Sequence, residues 1–469
     1  MTRQTLLVLT LVHVIAVCCL ARTVTGAKGQ PARPARPNIV LILADDMGYG
    51  DLGCFGSTRH RTPNLDTVAA AGTKFTSFYV AAPVCTASRA ALLTGCYPRR
   101  VNMDTGSTFL VVRPGDRKGL HPDEITIAEL LKGRGYATGC VGKWHLGDQP
   151  PFLPTRQGFD SYFGIPYSND MGVRKGKNWP PLPLMRGERV IEAPVDQDTL
   201  TRRYTEAAVE FIRTHRDRPF FLYLPHTFPH DPLHAGPRFR GKSPGGIYGD
   251  AIEEIDWSTG EIMAELRRLK IARRTLVVFT SDNGAAPNYG GTNGPLRGHK
   301  GSTWEGGMRV PCLMVWPGTI PAGRVCPELA TAMDLLPTCA ALAGAEVPGD
   351  RIIDGRDLSA LLRADPGAGS PHEAFYYYRG PNLQAIRAGR WKLHFSREDR
   401  RPVPDVLFDL RVDIGETCDQ SAAQPDVVAQ LAALAEKARR DLGDGSMAGR
   451  NQRPAGYVQS PTFQKLESR

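Results

Sequence analysis

Apolar residues fall along this chain in short unbroken runs, each closed by acidic or glycine-rich residues. Asn38-Ile-Val-Leu-Ile-Leu-Ala44 is one, ended by Asp45-Asp46-Met-Gly-Tyr-Gly50. A strand with one wet face alternates, so a continuous run predicts a strand covered on both faces, as in a mainly parallel sheet. The same reading predicts strands over Tyr136–Val141, Phe220–Leu224 and Thr275–Thr280, the last closed by Ser281-Asp-Asn-Gly284. Helical spacing predicts helices over Glu124–Arg134, closed by Gly135, and over roughly Ile252–Lys270. Strands alternating with helices predict an α/β fold, a large mixed, mainly parallel sheet sandwiched by helices.

The pattern then changes. A helix near Asp334–Leu342 and a turn-rich stretch, Pro348–Asp357, lead into short strand candidates at Glu373–Tyr378, Gln384–Ala388, Trp391–Phe395 and Val406–Asp409. They predict a smaller C-terminal antiparallel sheet, with a late helix from Pro425 to Leu442 packed on it. The predicted organisation is a main domain over residues 38–365, an α+β subdomain over 366–446, and a loosely held tail over 447–469. Ahead of these, Arg3 and the apolar Leu6–Leu20 run, followed by Thr25-Gly26-Ala27, have the form of a secretory signal peptide over residues 1–27. A membrane anchor is the alternative, although the run is short for a span. Residues 28–37 read as a Pro-, Ala- and Arg-rich linker.

Composition adds two constraints. The formal charge is +10, and loss of Arg3 and Arg22 with the leader leaves +8. That balance favours anionic ligands and, with no recognition module present, does not single out nucleic acid. The eight cysteines beyond the leader are widely scattered; export permits disulfides, but no pairing follows from their spacing.

Candidate chemistry sits at the strand ends, where open α/β sheets place their sites. Asp45-Asp46 and Asp282-Asn283 each follow an apolar strand. Each pair alone reads as loop acids or a turn cap. Together, three carboxylates and an amide form a hard oxygen site suited to calcium or magnesium and less to zinc. Clustered acids without a cation would repel one another. Basic groups follow strand ends likewise: Lys143 and His145; His226, His230 and His234; then Arg297, His299 and Lys300 in a glycine-rich loop. His234 and His121 read as structural. In Cys85-Thr-Ala-Ser-Arg-Ala-Ala-Leu-Leu-Thr-Gly95 the cysteine opens a helix and Arg89 lies one turn on. A thiol there is expected to be accessible and of lowered pKa, in an oxyanion-handling site. The plainer reading is a buried cysteine preceding an apolar helix.

The run Cys85–Gly95 resembles the signature of the type I sulfatases of the alkaline phosphatase-like superfamily, nearest the arylsulfatase A and N-acetylgalactosamine-6-sulfatase branch. The resemblance recurs in Asn38–Asp46, Gly142–Gly147, Gly164–Ser168, His226–His230, Thr280–Gly284, Lys300–Pro311, and Leu407–Leu410 with Gly415-Glu416. It implies hydrolysis of aryl or carbohydrate sulfate esters. Cys85 would be oxidised to Cα-formylglycine by a formylglycine-generating enzyme, and its hydrated gem-diol would supply the nucleophile. Asp45, Asp46, Asp282 and Asn283, with the modified Cys85, would hold Ca²⁺, magnesium being second choice. Arg89 would hold the formylglycine oxygens, Lys143 and Lys300 the sulfate oxygens, and Ser168 would add a hydrogen bond. His145 would bear on the second hydroxyl of the diol. His230 would protonate the leaving group, with His226 a weaker rival. In one departure from the commonest modification motif, Ala87 stands where proline is usual.

Two other classes remain at this stage. A phosphatase or phosphodiesterase of the same superfamily would use Thr or Ser and usually two metals. A non-catalytic binding protein of this fold would be expected to have lost a site residue. The substrate is a sulfated small molecule or carbohydrate, and stable membrane insertion is not expected. Export implies a periplasmic or secreted protein, lysosomal in an animal. Loops Asp104–Arg117, Asn169–Glu192 and Gly236–Tyr248 are candidates for substrate selection. Arg174, Lys175, Lys177 and Trp179 suit an anionic sugar, and Pro381-Asn382-Leu383 is a candidate border of the cleft.

Overall fold

The unbroken apolar run forms strand β1 (Asn38–Ala44), buried along its whole length. The structure, a computed structural model, describes residues 36–395 and 405–466, so the predicted signal peptide and most of the linker lie outside the described residues. β1 lies inside an eleven-stranded sheet. The other strands are β2 (Thr73–Tyr79), β3 (Ala137–Val141), β4 (Ser161–Gly164), β5 (Leu184–Arg186), β6 (Arg189–Glu192), β7 (Phe220–Pro225), β8 (Thr275–Ser281), β9 (Arg309–Val315), β10 (Arg324–Cys326) and β11 (Ala330–Thr331). Their order is β10-β2-β9-β8-β1-β7-β3-β4-β5-β6, with β11 on β2. The central five, β8-β1-β7-β3-β4, are parallel, while β9, β5 and β6 make antiparallel pairs. The sheet is therefore mixed but parallel where it is most buried.

Helices α1 (Pro63–Ala71), α2 (Cys85–Thr94), α3 (Ile127–Lys132), α4 (Leu200–His215), α5 (Gly246–Arg268) and α6 (Leu335–Ala343) accompany this sheet. The helix expected from Glu124 starts later because Thr126 caps it. Its Oγ1 accepts the Glu129 N–H, and Glu129 Oε2 accepts the Thr126 N–H, a capping box that fixes the first turn. Helix α4 was not among the predicted elements, although Leu200, Tyr204, Ala208, Phe211 and Ile212 recur at helical spacing and are buried.

A second, antiparallel sheet runs β12-β13-β14-β15 (Phe375–Arg379, Asn382–Ala388, Trp391–His394, Val406–Asp409), and helix α7 (Pro425–Leu442) packs on β13 and β14. Among the described residues no helix is long and apolar enough to cross a membrane.

The tail corrects an expectation. Residues 447–466 are tied down: Gly456-Tyr457 pairs with Lys118-Gly119, and Gln149 exchanges hydrogen bonds with the Thr462 backbone. Arg453 donates to both oxygens of Glu124, at 2.7 and 2.9 Å. The sequence offered only short polar segments there, and the anchoring partners lie over three hundred positions upstream. Arg453→Ala strands the Glu124 carboxylate, which is nearly buried, and is expected to cost about 2 kcal/mol in urea unfolding, with the sulfur and acid chemistry of the main sheet unaffected.

Candidate active site

The order of the central strands lays the site out. Reading across β8, β1, β7, β3 and β4, the segments that leave their C-terminal ends carry Asp282-Asn283, Asp45-Asp46, His230, Lys143 and Ser168. Register makes neighbours of the acids, since Ala44 pairs with Ser281 and Leu43 with Pro225. Gly142 makes the close approach of β3 possible: its φ is +133°, and a Cβ there would lie 1.9 Å from the Pro225 carbonyl oxygen. Cys85 and Arg89 come from the first turns of α2, whose ten residues are all buried. Lys300 comes from the glycine-rich loop after β8.

Nearly every predicted site residue meets here. Cys85 Sγ lies 3.7 Å from Asp45 Oδ1, whose other oxygen takes Lys143 Nζ. Arg89 places Nε and a terminal nitrogen on Asp282 Oδ2, at 2.9 and 2.8 Å, and stands 3.6 Å from Asp45 Oδ2. Asp282 Oδ1 accepts the Asp46 N–H. Asp46 takes Asn283 Nδ2 on one oxygen and Lys300 Nζ on the other, both at 2.7 Å. Lys143 Nζ also donates to Ser168 Oγ at 3.0 Å, and that hydroxyl is 3.5 Å from His230 Nε2. One donor atom from each of Asp45, Asp46, Cys85 and His230 lies within 4.8 Å of the others. In this arrangement Asp282 serves Arg89, and His230 stands closer to the donor cluster than the predicted ligand set had it.

One expectation is corrected. Cys85 is not an accessible, acidic thiol: it is 2% exposed, and burial pushes its pKa up to about 12 despite Lys143 and Lys300 nearby. Desolvation outweighs the helix terminus. Arg89, Lys143 and Lys300 offset the three carboxylates only in part: burial and the neighbouring Asp45 hold the Asp282 carboxyl above its ordinary range. Burial pushes the Asp45 and Asp46 carboxyls up, but Lys143 with His230 and Arg89 in one case, and Lys300 with His230 in the other, hold both below the usual range.

What points to a cation is Asn283 Oδ1, a buried carbonyl oxygen with no hydrogen-bond partner, beside the oxygens of Asp46. An orphaned oxygen among carboxylates fits a hard divalent ion. His145 is wholly buried. Its Nε2 faces the Val112 carbonyl at 3.1 Å and therefore carries the proton, leaving Nδ1 an unpartnered base. Burial, then Lys143 and Arg89, depress its pKa well below the ordinary value.

Other basic groups fall elsewhere. His226 is buried against Ser258, and burial lowers its pKa to about 3. His234 pairs with Asp198, and His121 stands near Asp123. Arg297 stacks on Trp304, and His299 turns to the Lys300 carbonyl. Of the three basic residues in that loop, only Lys300 enters the site.

A family model described as Sulfatase matches residues 37–345, and one described as the C-terminal region of aryl-sulfatase matches residues 370–465. The chain belongs to the sulfatase family. Human arylsulfatase A is 41% identical to it, over 86% of this chain and 87% of its own length. Pig N-acetylgalactosamine-6-sulfatase is 45% identical over 78% and 73%, and mouse steryl-sulfatase 38% over 86% and 81%. Among solved structures, the PsFucS1 sulfatase from Pseudoalteromonas sp. superposes with a TM-score of 0.76 at 30% identity, covering 86% of this chain and 89% of that one. Ps i-CgsB, solved in complex with k-i-k-neocarrahexaose, gives 0.75 at 34%, covering 86% and 92%. The reaction of this sulfatase is the hydrolysis of sulfate esters.

The sulfatase site opens into a cleft of about 740 Å³ whose floor includes Asp46, His230 and Lys300. Arg174, from the predicted substrate loop, is on its wall; Lys175, Lys177 and Trp179 are not. Asp170, from the same predicted loop, also lines it, as does Tyr289, which nothing in its local pattern had marked. Arg89→Met should leave Asp282 buried without its cation and lower stability by about 3–5 kcal/mol, measured by denaturant unfolding of the unmodified protein.

Proposed function

We propose that this sulfatase works through a Cα-formylglycine made from Cys85, with one calcium ion held by Asp45, Asp46, Asp282, Asn283 and the modified residue. The observation that carries this reading is the meeting of Cys85 with Asp45 and Asp46 in one buried donor cluster ringed by Lys143, Lys300 and Arg89. A buried cysteine of raised pKa is a poor nucleophile, which favours its being a precursor. Hydrated formylglycine supplies the attacking oxygen. Bound calcium supplies positive charge beside the reacting sulfur, Mg²⁺ being the second choice.

The chain's own residues do the rest. Lys143 and Lys300 hold the sulfuryl oxygens, where two ammonium groups stabilise the charge that grows as the ester bond breaks. Arg89 fixes the end of α2 through the Lys143 carbonyl and Asp282, and keeps the modified side chain oriented. Ser168 bridges Lys143 and His230 and adds a donor to the substrate. His230 Nε2 faces the cleft and protonates the departing oxygen. His145, neutral through Nδ1, accepts the proton of the second hydroxyl as sulfate leaves.

Arg174, Asp170, Gln197 and Asp231 on the wall of the cleft support a sulfated carbohydrate, as does the oligosaccharide named for Ps i-CgsB. Maturation would use a formylglycine-generating enzyme, and the leader-like N-terminus supports export to a periplasmic, secreted or lysosomal compartment.

Co-production with a formylglycine-generating enzyme is expected to convert the Cys85 peptide from thiol to aldehyde mass and to switch on hydrolysis of an aryl sulfate. Converted protein without turnover overturns the reading. Chelation followed by dialysis should abolish activity and lower Tm, with calcium restoring both better than magnesium. Lys143→Ala or Lys300→Ala should each cost about a hundredfold or more in kcat, read in the same assay.

A further inference from the structure

Two stretches that carry the family resemblance, Lys300–Pro311 and Gly415-Glu416, contain acids with no part in the reaction. They converge on Lys392, in β14 of the small sheet. Lys392 Nζ lies 3.0 Å from Glu305 Oε1 and 2.7 Å from Glu416 Oε1, and all three side chains are wholly buried. It also donates to the Thr303 carbonyl at 2.9 Å. Glu416 returns to the same segment twice. Its Oε2 accepts the Glu305 N–H at 2.8 Å, and its backbone carbonyl accepts from Arg297 at 3.1 Å.

Further links run from the small sheet to the same segment. Thr303 Oγ1 donates to Gln384 Oε1 and meets His394 Nε2. Trp304 is stacked between Arg297, 3.6 Å from its ring centre, and the His394 ring, 4.1 Å away and 11° from parallel. The segment 297–305 is thus held by the small sheet on one side. On the other, the Lys300 N–H bonds to the Ala285 carbonyl and the Gly301 N–H to that of Pro83, two residues before Cys85. Between these anchors stands Lys300, whose ammonium meets Asp46 at 2.7 Å and whose flexible four-carbon stem is carried by this backbone.

We propose that Lys392 is a positioning residue for the reaction: it clamps residues 297–305 through Glu305, Glu416 and the Thr303 carbonyl, and so sets where Lys300 presents its ammonium. This rests on the reading of Lys300 as a holder of sulfate oxygens. A lysine buried between two carboxylates is a costly way to gain stability, since an apolar trio of equal volume would serve as well. Its contacts reach the loop directly through Glu305 and the Thr303 carbonyl, and indirectly through Glu416, and so hold that loop in register. Misplacement of such a loop by about 1 Å is enough to cost about a hundredfold in rate.

The test is a double-mutant cycle on the formylglycine-bearing enzyme, with an aryl sulfate and with folding checked by circular dichroism. Lys392→Met is expected to lower kcat/KM by about tenfold to a hundredfold, and to add less than about twofold in a Lys300→Ala background, because both act on one group. A purely structural role would give the same factor in both backgrounds, and that result overturns the proposal. So does Lys392→Met with parental turnover beside a crippled Lys300→Ala. If Lys300→Ala itself retains full turnover, the reading of Lys300 fails and takes the clamp with it. Should Lys392→Met not fold, Trp304→Leu removes the stack without stranding a charge. It is expected to show a smaller loss with the same non-additivity, and additive losses overturn the proposal equally.

Discussion

Three carboxylates and two cations buried at one edge of a parallel sheet, with the half-buried Lys300 beside them, constrain everything around them. Asp45, Asp46 and Asp282 have at most a few per cent of their surface exposed, and so do Arg89 and Lys143. Removing any one leaves an opposite charge in a medium that cannot solvate it. The strand order β8-β1-β7-β3-β4 is the arrangement that makes the set complete, because neighbouring strand ends deliver the acids, His230, Lys143 and Ser168 side by side. The rest of the fold has to hold those ends in register. That explains why glycine stands at position 142, where two strand ends come closer than a side chain allows.

The parts of this design legible in the sequence are those with a local signature. β1 announces itself by seven residues without a charge and the two acids that stop it. The late helix Pro425–Leu442 is likewise local. Asp45, Asp46, Asp282, Asn283 and Lys143 were legible for the same reason: each follows a strand, and a strand's end can be read from where its apolar run stops. What was lost was whatever depends on partners distant in sequence. Strands β2 and β9 alternate too weakly to stand out, and their pairing gives the sheet its mixed character. The tail reads as loose until Glu124 and Gln149 are placed beside it.

Burial itself was the least legible quantity, and it reversed the chemistry expected of Cys85. A helix terminus and nearby cations argue for a thiolate, but those effects are worth less than taking the sulfur out of water. The outcome has a functional sense. A sulfur held neutral at the head of a buried helix is slow in disulfide exchange, and on the proposed reading its conversion would have to precede the closing of the fold around it. The compactness that raises its pKa also shapes the pocket that its oxidised successor would occupy.

Lys392 illustrates the remaining gap between sequence and site. In Trp-Lys-Leu-His it occupies a position that alternation would assign to solvent, and nothing within the strand says that Glu305 and Glu416 face it. Its meaning comes only from tertiary structure, where a small sheet without a reacting group of its own touches the one loop that carries Lys300 into the cleft. The small sheet then acts as a rigid support for the backbone that carries this long, flexible side chain. A site whose cations are lysines gains from such supports, because the carboxylates that take their ammoniums fix only the far end of four rotatable bonds. Arg89, by contrast, is planar and doubly anchored on Asp282, and holds its place within the main sheet without help from outside.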